Sequence, residues 1–189
     1  HKVVPVPLTA SYAADVKRMR QEAVNAGGGL IFICNPNNPT SSITPKADID
    51  WLANNLPPNT VALIDEAYIH FSTSPQLVSA LDHVKAGRNV VVSRTFSKIY
   101  GMAGLRVGFG CAKAELIQQM APFPAGVISW VSIRAALAAL EDPRMVPERQ
   151  ARYIRIRTDL CKWLEGQGFR YLEPHANFMM IDTRRNVRS

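Results

Sequence analysis

The stretch Ser93-Arg94-Thr95-Phe96-Ser97-Lys98-Ile99-Tyr100-Gly101-Met102-Ala103-Gly104-Leu105-Arg106-Val107-Gly108 decides how the rest of the chain is read. The apolar run Val90-Val91-Val92 leads into it. Two hydroxyls, Thr95 and Ser97, stand just before Lys98. Gly101 and Gly104 loosen the bend that follows, and Arg106 comes eight residues after the lysine. Hydroxyls and a guanidinium bind phosphate oxygens by charge-assisted hydrogen bonds. A cation close to an amine favours its neutral, nucleophilic form. The stretch therefore reads as an amine held beside an anion. A surface Arg/Lys loop between two strands would use the same letters, so the neighbouring segments must discriminate.

The chain has 189 residues, 47% hydrophobic and 20% charged, enough for one large domain or one domain plus part of another. No apolar run approaches the roughly 20 residues of a membrane span. A net charge of +7 raises the question of nucleic acid. The positive charges are scattered, with modest clusters in residues 149–157 and 184–188, and no basic stripe alternates with aromatics. They read as solvated helix faces plus an anion site, with neither nucleic acid nor membrane as partner. Cys34, Cys111 and Cys161 are widely spaced and read as buried, reduced thiols. The first residues, His1-Lys2-Val3-Val4-Pro5, carry no signal-peptide pattern and no initiator Met. The expectation is a cytoplasmic protein of which this is a central stretch.

Hydrophobic patterning alternates strand and helix. Residues 3–8 read as an edge strand or strand start interrupted by prolines. Residues 13–26 read as a helix ended by Gly27-Gly28-Gly29. Residues 30–34, 60–64 and 89–93 are continuous apolar runs, the signature of strands buried on both faces, and residues 107–111 form a fourth. Thr44 is the expected N-cap of a helix to about residue 56, with Pro45 at its first position. Short helices are expected near residues 76–83 and 113–120, a loop at 122–126, and an Ala-rich helix at 129–141. From Pro143 to about residue 167 the chain reads as one long basic helix that packs an apolar face, including Ile154, Leu160 and Leu164, and solvates the other. Residues 169–172 and 178–181 then read as paired strands. The change of pattern predicts two units, 1–142 as part of a large domain and 143–189 as an interdomain helix with the first strands of a smaller α+β domain. The fold class is α/β, a three-layer sandwich around a mostly parallel sheet.

In such sheets ligands bind at the carboxyl ends of the strands. Three consecutive strands end in unusual chemistry: Asn38 after the first, Asp65 and Tyr68 after the second, Lys98 after the third. One polar loop means little, but three at equivalent places converge on a site. A ligand with a phosphate, a basic ring nitrogen, a phenolic oxygen and an aldehyde would use every group, and pyridoxal 5′-phosphate fits that description. A carboxylate keeps the ring nitrogen protonated so that the ring acts as an electron sink, and the lysine forms the Schiff base.

Three ordered motifs carry a resemblance. Asn-Pro-Asn-Asn-Pro-Thr at 35–40, Asp-Glu-Ala-Tyr at 65–68 and the Thr95 to Gly108 stretch resemble the class I/II aminotransferases of pyridoxal phosphate fold type I. The phrases Asp65-Glu66-Ala67-Tyr68-Ile69-His70-Phe71, Arg94 to Gly108 and Ala176-Asn177-Phe178-Met179-Met180-Ile181-Asp182 are most similar to the histidinol-phosphate aminotransferase branch. Aromatic aminotransferases and some pyridoxal phosphate decarboxylases share these phrases. The resemblance implies that Lys98 forms the Schiff base and then serves as general base and acid. It implies that Asp65 pairs with the ring nitrogen, that Tyr68 and Asn38 hydrogen-bond the cofactor's 3′ oxygen, and that Thr95, Ser97 and Arg106 hold its phosphate. It further implies amino acid and 2-oxo acid substrates and a homodimer in the full-length enzyme. Asn177 falls where the family's small-domain strand approaches the site and receives no role. Arg184, Arg185 and Arg188 fall too early for the family's carboxylate-binding arginine. Glu66 is expected to point away from Asp65's side, since strand neighbours face opposite ways.

One position departs from the family. Glycine usually follows Asn-Pro-Thr, and here Ser41 does. The resemblance spans nearly the whole chain but about the middle half of such an enzyme, so the family's phosphate-loop glycine, stacking ring and carboxylate arginine are expected outside it. Three alternatives remain open on sequence: a pyridoxal phosphate decarboxylase or lyase of the same fold, a catalytically incomplete fragment, and a non-catalytic module that binds a phosphorylated ligand through the same loop.

Overall fold

The computed structural model describes residues 2–123 and 126–186. Pro124 and Ala125 of the expected 122–126 loop, and Arg188, lie outside them. Six helices and six strands are ordered α1 (Val16–Asn25), β1 (Gly29–Cys34), α2 (Lys46–Asn54), β2 (Thr60–Asp65), α3 (Leu81–Lys85), β3 (Val90–Thr95), β4 (Gly108–Cys111), α4 (Ala114–Met120), α5 (Trp130–Glu141), α6 (Met145–Gly166), β5 (Arg170–Tyr171) and β6 (Ile181–Asp182). Single 3-10 turns at Ile69–Phe71 and Ala103–Leu105 follow β2 and β3.

The main sheet has the order β1-β2-β3-β4. The first three strands are parallel, and β4 returns antiparallel beside β3. Sequential parallel neighbours joined by right-handed crossovers must carry their helices on one side of the sheet. The packing follows that rule. Ile31, Ile33, Ala62, Ile64, Val90 and Val92 point to one face, where they pack with Val16 and Ala23 of α1, Ile49, Leu52 and Ala53 of α2, and Leu81 and Val84 of α3. The opposite face of β1 keeps Leu30 and Phe32 at 64% and 53% exposure. The expectation that residues 30–34 are buried on both faces is therefore corrected for this strand. Its crossover helix α2 lies on the Ile31 side, and no described residue takes the place of a layer on the Leu30 side.

Local chemistry explains several boundaries. α1 starts behind Asp15, whose carboxylate accepts the Arg18 N–H at 3.0 Å. β1 begins beside Asn59, and a Cβ at Gly28 would sit 2.6 Å from the Asn59 carbonyl oxygen, with φ at +118°. Only glycine permits that approach. Residues 3–8 form no strand. Two prolines there remove ladder donors, and the segment lies beside no sheet edge among the described residues. Thr44 is not the cap of α2. Pro45 occupies that position, and the Thr44 hydroxyl instead accepts the Ala14 N–H at 3.0 Å, tying α1's approach to the loop after β1. The helix expected near residues 76–83 forms later and shorter, as α3.

The long helix α6 is present, but only part of the expected apolar face packs: Leu164 is buried, Ile154 half-buried and Leu160 exposed. Ile156, Leu160 and Trp163 are exposed, and Leu164 is its one buried residue. Contact with the loops of the large sheet combines Val146 and Tyr153 with the polar side chains described below. β5 and β6 pair antiparallel as a separate two-stranded sheet, shorter than expected. The three cysteines are free and half-buried. Among the described residues no helix is long and apolar enough to cross a membrane.

Candidate active site

The carboxyl ends of β1, β2 and β3 lie side by side. Cys34 pairs with Asp65, and Asp65 with Ser93, so these three share one face, opposite α1–α3. Thr95, two residues beyond Ser93, shares it as well. The Asp65 Oδ1 accepts the Ser93 hydroxyl at 3.0 Å and the Ala67 N–H at 3.1 Å. Among the described residues nothing donates to its Oδ2. The carboxylate is thus oriented by two donors while one oxygen can accept a third, as a protonated ring nitrogen would require.

Glu66 turns the other way, as strand alternation demands. It is 2% exposed, and both its oxygens are occupied. Arg94 reaches Oε2 through Nε at 3.0 Å and Nη2 at 2.8 Å. The Ser79 hydroxyl donates to the carboxylate, and the Ala80 N–H to Oε1 at 2.6 Å. This buried group locks the ends of β2 and β3 to the start of α3 on the side away from Asp65. Arg94 and burial also hold the neighbouring His70 imidazole neutral, with burial the larger cause and a pKa lowered to about 4.

The loop after β1 is closed by a side chain. Asn35, buried, donates from Nδ2 to the Thr44 carbonyl and accepts the Thr44 N–H at Oδ1, each at 2.9 Å. Inside the loop the Asn38 amide donates to the Tyr68 hydroxyl at 3.3 Å. Tyr68 is buried among Phe71, Ile99 and Ala176, with Phe178 edge-on to its ring at 4.9 Å. The Lys98 Nζ lies 5.1 Å from the Tyr68 ring centroid. Asn38, Tyr68 and Lys98, drawn from three separate loops, therefore meet at one point.

Phe96 and Ile99, both buried, anchor the lysine loop on either side of Ser97 and Lys98, which stay half-buried. The Thr95 hydroxyl accepts the Ser97 N–H at 3.0 Å. Arg106 adopts φ +51° and directs Nη1 to the Ser97 hydroxyl at 3.4 Å and the Ala103 carbonyl at 2.9 Å. A hydroxyl, a guanidinium and a turn N–H thus gather at the end of the cluster reached from Thr95, the chemistry a phosphate needs.

Sequence reasoning missed the residues that hold these loops from outside. On α6, Arg149 donates to the Ile99 carbonyl at 2.9 Å, next to Lys98. Gln150 donates to the carbonyls of His70 and Ser72 at 2.8 and 3.2 Å, and Arg157 to that of Phe71 at 3.0 Å. Tyr153 lies edge-on to Phe71 at 4.8 Å between them. The signal available was spacing: positions 149, 150, 153 and 157 fall on one helical face. Gly101 completes the fit, because a Cβ there would approach the Arg149 guanidinium to 3.2 Å at φ +70°.

The architecture, a mostly parallel sheet with helices, is that of the fold type I pyridoxal phosphate enzymes. Residues 1–187 match the family described as Aminotransferase class I and II, and the chain belongs to that family. It is 36% identical over 192 residues to the histidinol-phosphate aminotransferase of Moorella thermoacetica, covering 99% of this chain and 48% of that protein. It is 34% identical to the aromatic amino acid aminotransferase of Cutibacterium acnes, covering 95% of this chain and 51% of that one. The crystal structure of histidinol-phosphate aminotransferase from Sinorhizobium meliloti in complex with pyridoxal 5′-phosphate superimposes with a TM-score of 0.87 at 25% identity, over 97% of this chain and 50% of that one. The chain spans about half the length of the curated relatives it matches.

Proposed function

We propose that the protein transfers an amino group between an amino acid or amino-phosphate, histidinol-phosphate-like or aromatic, and a 2-oxo acid, with pyridoxal 5′-phosphate held at the tips of β1–β3. The observation that carries this reading is the meeting of Lys98 with Tyr68 and Asn38 beside a carboxylate, Asp65, that is fixed by two donors and has one oxygen to spare. Bound there, pyridoxal 5′-phosphate supplies an aldehyde for an amine and a ring that withdraws electrons from the substrate's α-carbon. Lys98 would hold that aldehyde through its amine, water leaving as the two join, and, once released by the substrate's own amine, would move a proton at the α-carbon. Asp65 accepts from the ring nitrogen. Asn38 and Tyr68 donate to the 3′ oxygen, and Thr95, Ser97 and Arg106 bind the phosphate.

The same reading divides the chain after residue 142, supported by the separate β5–β6 sheet that follows α6. It makes the whole protein a homodimer, supported by the exposed apolar side chains of Phe123, Val127, Trp130 and Val131 around the start of α5. It keeps the protein in the cytoplasm.

Pyridoxal 5′-phosphate added to the protein should give a visible band, and borohydride should fix the cofactor to the peptide containing Lys98. Lys98→Ala should lose both signals. A spectrum unchanged by that substitution would overturn the assignment. Incubation of the loaded protein with histidinol phosphate or an aromatic amino acid plus 2-oxoglutarate should yield glutamate. Carbon dioxide without glutamate would point to decarboxylation instead.

A further inference from the structure

Ser41 stands where the family usually has glycine, and its backbone keeps a glycine-like conformation, φ +61°. Side chains rarely adopt that region, because Cβ crowds the backbone. The residue is also 0% exposed. A strained serine at a fully buried site calls for a compensating contact, and its hydroxyl makes one. The Oγ accepts the N–H of His175 at 2.9 Å and of Ala176 at 2.8 Å, across more than a hundred residues of sequence. His175 N–H has a second acceptor, the Ser41 carbonyl at 3.0 Å. Ala176 N–H, in a residue 4% exposed, has the Ser41 hydroxyl alone among the described residues.

The two segments so joined both touch Tyr68. Three residues before Ser41, Asn38 donates to the phenol. Two residues after Ala176, Phe178 meets the ring edge-on at 4.9 Å. Ala176 itself packs with Tyr68, Phe71 and Ile99. The contacts form a closed circuit: Ser41 to Ala176, along the chain to Phe178, across to Tyr68, over to Asn38 and back along the loop to Ser41. Removing the hydroxyl leaves a buried donor unpaired, and the segment must shift to reach water or another acceptor. Phe178 would move with it.

We propose that Ser41 is a positioning residue: its hydroxyl fastens residues 174–178 to the loop after β1 and thereby holds Tyr68 between Asn38 and Phe178, in register with Lys98. The proposal rests on the reading given under Proposed function for what Tyr68 and Asn38 do. It adds a fully buried residue that acts through Tyr68 and Asn38.

Ser41→Gly and Ser41→Ala separate hydroxyl from backbone. Both variants lose the hydroxyl's two hydrogen bonds; glycine accepts φ +61° without strain and so offsets part of that loss, whereas alanine retains the strain. Hydrogen exchange at the Ala176 amide, followed in the protein without cofactor, should quicken about tenfold or more in both variants, the equivalent of one hydrogen bond. Loaded with pyridoxal 5′-phosphate, both should bind it about tenfold more weakly and change its visible circular dichroism, a signature that a loss of stability alone would not move at temperatures far below melting. Exchange at Ala176 unchanged in both variants would overturn the fastening. Faster exchange with unaltered affinity and dichroism would overturn the positioning role. Opposite effects from glycine and alanine would assign the role to backbone strain and overturn it too. If the unsubstituted protein forms no borohydride-reducible link to the cofactor, the functional reading fails and the positioning role with it, while the exchange result still decides the fastening.

Discussion

Asp65 and Glu66 are adjacent carboxylates with opposite assignments. Asp65 has an oxygen left to offer, while Glu66 is saturated by Arg94, Ser79 and Ala80 and stays in the interior. The difference comes from strand alternation rather than from residue type. His70, close by, is governed chiefly by its own burial. Its folded-state pKa is depressed to about 4 from 6.5, by burial first and by the Arg94 charge second. Unfolded chains bind the proton near pH 6.5 and the folded one does not until about pH 4. Stability from this group is therefore complete above that window and is lost as pH falls through it. His70→Phe should flatten this part of the acid-side decline in urea midpoint. His175, also held low mainly by burial, contributes in the same direction, so the comparison must be variant against unsubstituted protein.

At the scale of elements, α6 acts on the site without entering it. Arg149, Gln150 and Arg157 cap carbonyls in the loops that carry Lys98 and follow Tyr68. Loop carbonyls have no ladder partner, and a helix supplying side-chain donors satisfies them while leaving the loop's other side free for a ligand. Arg149→Met should remove a charge-assisted hydrogen bond and lower unfolding free energy by about 1.5–3 kcal/mol. Arg152→Met, on the solvated side of the same helix, should change it by less than about 0.5 kcal/mol. Urea denaturation of the two variants measures the contrast, and equal effects would mean that the Ile99 contact carries no weight.

For the molecule as a whole, the sequence revealed the order of the strands' chemistry better than their surroundings. The endings of β1, β2 and β3 were legible because Asn35, Asp65 and Ser93 break off apolar runs, with Asn38 and Lys98 in the polar loops that follow, and polar residues there need a reason. The uncovered side of β1 was not, because an apolar letter records that a side chain avoids water and not what covers it; Leu30 and Ile31 read alike. The anchoring of α6 was hidden for a related cause. Arg149 and Arg157 register as charge, while their partners are backbone carbonyls, which every residue has. Thr44 misled because a hydroxyl before a helix has a local use as a cap, and tertiary contact with Ala14 claimed it instead.

The closing of the 35–44 loop by Asn35 bears on how such a protein can be re-engineered. One amide bonds both the N–H and the carbonyl of Thr44, so the two ends are matched like the halves of a clasp. An added residue between them would bow the loop or part the clasp, and either would carry Asn38 off Tyr68. At Gly87, by contrast, a Cβ would meet nothing within 4 Å, and the turn after α3 is held by local bonds, Gly87 N–H to the Val84 carbonyl and Arg88 N–H to the His83 carbonyl, far in the chain from Asn38. Single-residue insertions should be silent after Gly87 and should abolish cofactor binding between Asn38 and Thr44, measured by visible absorbance. Changes of chain length are thus available to this scaffold on the α3 side of the sheet, while the Asn38 loop admits changes of letter only.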